Sequence, residues 1–227
     1  FKNVSEKSII KGVVFDMDGL MFDTEHLTMD GWDYAAKELG FSIPKDIQLQ
    51  VIGLAEKYTK RVFEEYFGED FNFYETKRLR INYVTSYIEK NGIPIKKGLI
   101  ELLDYLKANG YMIAVATSTN KERANFYFDK AGISGYLDAV VCGDMIENSK
   151  PEPDIYLKAG ELIGIPPQEC LALEDSPIGI LSAYRAGMKP VMIPDLVQAD
   201  HDTNRLLYAK LETLLDVIVL LSSKENS

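Results

Sequence analysis

Short apolar segments alternate with helix-like segments from residue 97 to residue 193, and this alternation restricts the folds open to the chain. Each apolar segment has the length of a buried strand, and each intervening segment has the apolar spacing of an amphipathic helix. The predicted strands are 112–116, 139–142, 170–173 and 191–193, and the predicted helices are 99–109, 122–131, 154–162 and 176–186. Apolar strands separated by helices predict a parallel sheet that is covered on both faces.

A strand at residues 9–15 is expected to join this sheet, although a long region without strand patterns follows it. Within that region the segments 29–39, 57–67 and 73–90 have the pattern of amphipathic helices. We therefore predict an α/β fold: a doubly wound parallel-sheet (Rossmann-like) core with an inserted all-helical cap domain. The expected core comprises residues 1–23 and 94–227, and the expected cap comprises residues 24–93.

Composition excludes several classes of partner. The chain has 227 residues and a net charge of -10, which argues against non-specific nucleic-acid binding because that needs a basic face. No apolar run approaches the roughly 20 residues that span a bilayer, and the N-terminal residues lack the apolar region of a signal peptide. Cys142 and Cys170 are interpreted as two small buried residues in a reducing compartment. We expect a cytoplasmic protein without nucleic-acid or membrane partners.

Polar residues follow the predicted strands where these strands end. In a doubly wound sheet the carboxyl ends of the strands meet at one crevice, so these residues are expected to form one site. They are Asp16 and Asp18 after the first strand, Thr117 and Ser118 after the second, Lys150 in the loop after the third, and Glu174 and Asp175 after the fourth.

This set of side chains predicts phosphoryl transfer. Mg²⁺ prefers oxygen ligands, and Asp16, Glu174 and Asp175 can supply carboxylates to it. One carboxylate can attack phosphorus and form an aspartyl-phosphate, while the metal and Lys150 offset the repulsion between an anionic nucleophile and an anionic ester. Thr117 can donate its hydroxyl to a phosphate oxygen.

The same residues resemble the four signature motifs of the haloacid dehalogenase superfamily, in the expected order. The matching motifs are Asp16-Met17-Asp18-Gly19, Thr117-Ser118, Lys150-Pro151-Glu152-Pro153-Asp154 and Glu174-Asp175-Ser176. The helical insertion is similar to the C1 cap of the β-phosphoglucomutase-like branch. The resemblance extends from about residue 9 to residue 196.

The resemblance implies a role for each residue of the first two motifs. It implies that Asp16 is the nucleophile and a metal ligand. Asp18 would protonate the leaving oxygen and then activate water, and its backbone carbonyl would bind the metal. Thr117 and the N–H of Ser118 would hold the phosphoryl group. Family dehalogenases lack an aspartate at the position of Asp18, which argues against dehalogenation.

The last two motifs and the start of the insertion add four further roles. By resemblance, Lys150 neutralises charge on the nucleophile and the phosphate, Asp175 binds Mg²⁺, and Glu174 binds it directly or through water. Glu25 lies where sugar-phosphate phosphatases of the family commonly carry an acidic residue, so it is expected to bind substrate.

Two positions depart from the mutase pattern of this branch. Thr28 stands where the mutases carry a histidine, and Glu56 or Lys57 stands where they carry a cap arginine. We therefore predict a monomeric, Mg²⁺-dependent phosphatase of a small phosphorylated metabolite, with a sugar phosphate as the expected substrate. The main alternative is a β-phosphoglucomutase-type mutase. A phosphoacceptor switch and a catalytically inactive binding protein are the less favoured alternatives.

Overall fold

A parallel sheet lies at the centre of the computed structural model, which describes residues 9–225, with side chains to residue 223. Within these residues the strands are β1 (Gly12–Phe15), β2 (Met112–Thr117), β3 (Ala139–Cys142), β4 (Cys170–Glu174), β5 (Lys189–Met192) and β6 (Ala209–Lys210). They lie in the order β3-β2-β1-β4-β5-β6. The chain runs outward from β1 to β3 and returns to β4 on the other side of β1, which makes the sheet doubly wound. The predicted fold class is confirmed.

Helices cover both faces of the sheet because each presents one apolar stripe to it. They are α5 (Leu99–Ala108), α6 (Lys121–Ala131), α7 (Asp154–Ile163), α8 (Pro177–Arg185), α9 (His201–Leu206) and α10 (Leu215–Glu225). On one face, Leu102 of α5, Phe128 of α6 and Val217 of α10 are buried in a single apolar cluster. On the other face, Ile155 of α7 and Ala183 of α8 belong to a second cluster.

The region between β1 and α5 is helical, as predicted. It contains α1 (Thr24–Leu39), α2 (Lys45–Gln50), α3 (Glu56–Phe67) and α4 (Phe73–Asn91). Trp32, Phe63 and Phe73 form the centre of an apolar cluster of its own, in which Trp32 meets Phe63 edge to face at 4.9 Å. Leu27 and Val84, however, belong to the cluster on the sheet. The helical insertion therefore has its own core and also packs on the sheet; its behaviour as a separate cap stays a prediction.

The chain enters and leaves the helical insertion at one place. The backbone N–H of Asp23 donates to the carbonyl of Pro94 at 2.9 Å, and the N–H of Lys96 donates to the carbonyl of Met21 at 2.9 Å. Phe22 and Ile95 form an antiparallel bridge between the two segments. The two ends of the insertion consequently lie side by side, next to the predicted boundaries at residues 23–24 and 93–94.

Some elements differ from the sequence prediction. β1 begins at Gly12 rather than at residue 9, and α2, α9, α10 and β6 were not predicted from the sequence. α2 and α9 have 6 residues each and β6 has 2, which is too short for a periodic pattern. α10 contains a nearly continuous apolar run, which has no helical period. Among residues 9–225, no helix has both the length and the apolar character needed to cross a membrane.

Candidate active site

The predicted site residues lie together at the carboxyl end of the sheet. Asp16 directly follows β1, Thr117 ends β2, and Glu174 ends β4, which is the strand beside β1. Asp16, Asp18, Glu25, Thr117 and Ser118 line a cavity of about 440 Å³ between the sheet and the helical insertion. The side chains behind Asp16 are those of Lys150 and Glu174, as their contacts show.

Lys150 joins two of the predicted carboxylates. Its ammonium group donates to Oδ1 of Asp16 at 2.7 Å, to Oε1 of Glu174 at 2.6 Å and to the carbonyl oxygen of Ala116 at 3.1 Å. Lys150 is only 2% exposed. Burial alone would lower the pKa of Lys150, but Asp16 and Glu174 together raise it above its usual value. Lys150 is therefore charged at neutral pH, and its ammonium group makes three hydrogen bonds, one for each N–H donor.

Glu174 is held by more groups than the sequence indicates. Besides Lys150, the hydroxyl of Tyr156 donates to its Oε1 at 2.5 Å, and the hydroxyl of Ser176 donates to its Oε2 at 3.3 Å. A Cβ at Gly179 would lie 2.0 Å from this carboxylate, so α8 can approach it only with glycine at that position. These contacts orient Glu174 toward Lys150; its role as a metal ligand stays a prediction.

Three buried carboxylates form a compact acidic group. Oxygen atoms of Asp16, Glu174 and Asp175 all lie within 4.8 Å of one another. Burial and the charge of Glu174 raise the pKa of Asp16 to about 7, although Lys150 acts in the opposite direction. Burial, followed by the charges of Asp16 and Glu174, also raises the pKa of Asp175 well above its usual value. The three carboxylates can carry more negative charge than Lys150 alone compensates. Their oxygen atoms are the type of ligand that a hard divalent cation prefers.

Asp18 points between two hydroxyl groups. Thr24 donates to Oδ1 of Asp18 at 2.5 Å, and Thr119 donates to its Oδ2 at 2.8 Å. Two hydrogen bonds from opposite sides hold this carboxyl group in one orientation at the cavity wall. The hydroxyl of Thr119 is therefore engaged by Asp18.

Thr117 and Ser118 occupy the end of β2. The hydroxyl of Thr117 accepts the backbone N–H of Thr119 at 3.1 Å, and the residue is only 1% exposed. The hydroxyl of Ser118 donates to the carbonyl of Gly53 in the helical insertion at 3.3 Å. This hydrogen bond links the sheet edge to the insertion across the cavity.

Glu25 lies in the first turn of α1 and lines the same cavity. Burial raises its pKa to about 8, and the negative charges of Asp18 and Asp16 act in the same direction. Arg80 acts in the opposite direction, and the net effect is that Glu25 binds a proton more readily than an exposed glutamate does.

Sequence reasoning missed three side chains of the site. Thr119 is ambiguous in the sequence because three hydroxyl residues follow each other from residue 117. Tyr156 has the spacing of a core residue of α7, and nothing in the sequence indicates its bond to Glu174. Arg80 of α4 also lines the cavity, and its position on an otherwise amphipathic helix gave no signal.

Comparison with known proteins agrees with the resemblance found in the sequence. The family model described as haloacid dehalogenase-like hydrolase matches residues 13–193. Hexitol phosphatase A of Escherichia coli is 32% identical over 196 residues, which cover 86% of this chain and 87% of that protein. A phosphorylated carbohydrates phosphatase of Thermotoga maritima is 27% identical over 215 residues, which cover 92% and 98% of the two chains.

Solved structures share the fold. The crystal structure of beta-phosphoglucomutase from Clostridium difficile superimposes with a TM-score of 0.80 at 22% identity and covers 96% of this chain and 98% of that chain. CbbY from Rhodobacter sphaeroides, in complex with phosphate, has a TM-score of 0.77 at 22% identity, with 92% and 96% coverage. The chain therefore belongs to the haloacid dehalogenase-like hydrolase family, as a phosphatase enzyme with the fold of its β-phosphoglucomutase-like branch.

Proposed function

We propose that this protein is a Mg²⁺-dependent phosphatase that hydrolyses a small phosphorylated metabolite through an aspartyl-phosphate on Asp16. The observation that carries the proposal is the buried ammonium of Lys150, which contacts Asp16 at 2.7 Å where Asp16 meets the cavity. A sugar phosphate is the proposed substrate. Two relatives are named for phosphatase activity on hexitol and on phosphorylated carbohydrates, and these names support that choice.

The acidic group fits a magnesium ion. Asp16 and Asp175 are the proposed side-chain ligands, together with the backbone carbonyl of Asp18, and Glu174 is proposed to act directly or through water. The raised pKa values of Asp16 and Asp175 reflect negative charge for which a divalent cation would compensate. When bound, the cation would neutralise the carboxylates and polarise the phosphoryl oxygens.

The proposed reaction has two displacements at phosphorus. A carboxylate oxygen of Asp16 forms a bond to phosphorus while the ester P–O bond breaks, and the protonated Asp18 gives its proton to the leaving alkoxide. Asp18, now a carboxylate, takes a proton from water as the water oxygen attacks phosphorus. Inorganic phosphate leaves, and Asp16 is regenerated as a carboxylate.

The remaining site residues are proposed to hold the phosphoryl group and the substrate. Lys150 would stabilise the charge that accumulates around Asp16, Thr117 and the N–H of Ser118 would bind phosphoryl oxygens, and Glu25 would bind a hydroxyl of the leaving part. Thr24 and Thr119 would keep Asp18 aimed at the leaving oxygen, as their two hydrogen bonds to it suggest.

A sugar-phosphate mutase with the same covalent intermediate is the second candidate, because the beta-phosphoglucomutase of Clostridium difficile shares the fold. Thr28 and Glu56, two of the residues at which the chain departs from the mutase pattern, both line the cavity. Glu56 is ion-paired with Lys77. Incubation with β-glucose 1-phosphate and a trace of the bisphosphate separates the two functions. A phosphatase releases phosphate, whereas a mutase yields glucose 6-phosphate without it.

Phosphate release from a panel of sugar and polyol phosphates tests the proposal. We expect turnover that EDTA abolishes and Mg²⁺ restores, and we expect Asp16→Asn to reduce it by at least about 10³-fold because the nucleophile is lost. Asp30→Asn, which changes an exposed aspartate of α1, is the matched control and should keep full activity. Normal phosphate release by Asp16→Asn would show that the proposed mechanism is wrong.

A further inference from the structure

Arg80 is a cationic side chain in the cavity that the proposed mechanism does not use. It lies on α4 and lines the same cavity as Asp16 and Thr117. Its guanidinium carbon lies 4.7 Å from the centre of the Trp32 ring, so one face of the group is covered by an aromatic side chain. The guanidinium is thus positioned where a bound substrate would meet the helical insertion.

Arg80 has no polar partner within the described residues. Its Nε is buried without a hydrogen bond, and no carboxylate of residues 9–223 lies within ion-pair distance of the group. Three other cations line the cavity: Arg123 donates to Thr85 and Tyr127, Lys77 pairs with Glu56, and the ammonium of Lys57 lies 5.4 Å from the centre of the Tyr58 ring. Buried donors normally have partners, and among the described residues the Nε of Arg80 is the one buried side-chain donor that lacks a hydrogen bond.

The packing of two helices holds Arg80 in place. A Cβ at Gly31 of α1 would lie 3.0 Å from Cγ of Arg80 and 3.2 Å from its carbonyl oxygen. α1 and α4 therefore touch at this point, and the stem of Arg80 lies against the α1 backbone while its head stacks on Trp32. A side chain ordered in this way loses little conformational freedom when it binds a ligand.

The charges near Arg80 do not neutralise it. Glu25 and Asp18 influence its electrostatics but form no ion pair with it, and Arg123 adds a second positive charge nearby. An arginine fork without a carboxylate partner at a cavity wall matches the geometry of an external carboxylate or phosphate.

We propose that the cavity contains a second anion subsite, in which Arg80 binds a carboxylate or second phosphoryl group on the leaving part of the substrate. This inference rests on the proposed phosphatase function and narrows its substrate class to sugar or polyol phosphates with an additional anionic group.

The test compares substrates that differ at one end only. Glucitol 6-phosphate has a neutral end, gluconate 6-phosphate has a carboxylate there, and glucitol 1,6-bisphosphate has a second phosphoryl group. Three four-carbon substrates with the same three ends test a shorter distance between the reacting phosphate and the far end. Values of kcat and KM are measured for the wild type, Arg80→Met, Arg80→Lys and Arg78→Met, the last being the control because Arg78 is an exposed residue of the same helix.

For at least one of the two chain lengths, we expect the wild type to have a higher kcat/KM for an anion-bearing substrate than for the neutral-end substrate. Arg80→Met should reduce kcat/KM for that substrate by about 30-fold, mainly through KM, and for the neutral-end substrate by less than about 3-fold, since charged hydrogen bonds have this magnitude. Arg80→Lys should keep part of the preference because it retains the charge but not the fork. Arg78→Met should match the wild type.

The outcomes separate this inference from the function on which it rests. An equal effect of Arg80→Met on charged and neutral ends, or a wild type without preference for either anion, would overturn the second subsite while leaving the phosphatase intact. If Arg80→Met fails to fold, Arg80→Lys tests the proposal instead, because it should keep part of the preference for the anion-bearing substrate. No phosphate release from any of the six substrates would instead count against the proposed function.

Discussion

Replacement of Lys150 by methionine should destabilise the protein by an amount that grows with pH. The change removes the cation that contacts Asp16 at 2.7 Å and Glu174 at 2.6 Å and leaves the carboxylates buried. Loss of one partner of a buried ion pair costs about 3–5 kcal/mol, and we expect this loss at pH 9. Methionine retains the apolar stem, so the loss of packing contributes little.

The pH dependence follows from Asp16. Its pKa is raised to about 7 in the folded wild type, and the loss of Lys150 raises it further because Lys150 acts to lower it. A carboxyl group with a raised folded pKa contributes stability below its unfolded pKa, and this contribution disappears as the pH rises through the folded pKa. A rise of one further unit makes the destabilisation about 1.4 kcal/mol larger at pH 9 than at pH 5.

Urea unfolding in EDTA at the two pH values measures both quantities. Lys107→Met is the matched control, because Lys107 pairs with Asp138 on the surface at 2.7 Å and should lose less than about 1 kcal/mol at either pH. A loss for Lys150→Met that is below about 1 kcal/mol, or equal at pH 5 and pH 9, would refute the reasoning that Lys150 compensates buried carboxylates.

Three further substitutions test the packing and orientation of the site. Gly179→Ala places a Cβ 2.0 Å from the Glu174 carboxylate and should lower the free energy of unfolding by about 1–3 kcal/mol in urea titrations. Tyr156→Phe removes a hydroxyl that donates to the same buried carboxylate and should cost about 1–3 kcal/mol by the same measurement. Thr119→Val removes one of the two bonds to Asp18 and should lower kcat about 10-fold with little change in KM, while Thr119→Ser keeps the activity. Unchanged values would show that these contacts do not orient the site.

The residues that carry charge could be located from sequence because of where the strands end. Asp16, Thr117 and Glu174 follow or end adjacent parallel strands, and parallel strands deliver their carboxyl ends to one edge of the sheet. The prediction that they lie together thus needed only the strand pattern and the doubly wound topology. The same pattern predicted the helical region between β1 and α5.

The contacts that hold these residues could not be predicted in the same way. Tyr156 reaches Glu174 because α7 packs across the sheet, which brings together residues 18 positions apart at a distance that no periodicity encodes. Thr119 binds Asp18 across 101 positions, and its neighbours offer the same hydroxyl chemistry. Arg80 is placed by the close approach of α4 to Gly31, a feature of helix packing rather than of either sequence segment.

The transfer of the phosphoryl group to Asp16 is tested most directly by mass spectrometry of the quenched enzyme. With p-nitrophenyl phosphate, whose leaving group needs no proton, Asp18→Asn should accumulate the intermediate, since the variant keeps the nucleophile but lacks the group that activates water. After incubation with substrate and Mg²⁺, we predict one phosphoryl group on the peptide that contains Asp16. Phosphate on another residue, or none on Asp18→Asn after it has released p-nitrophenol, would contradict the account.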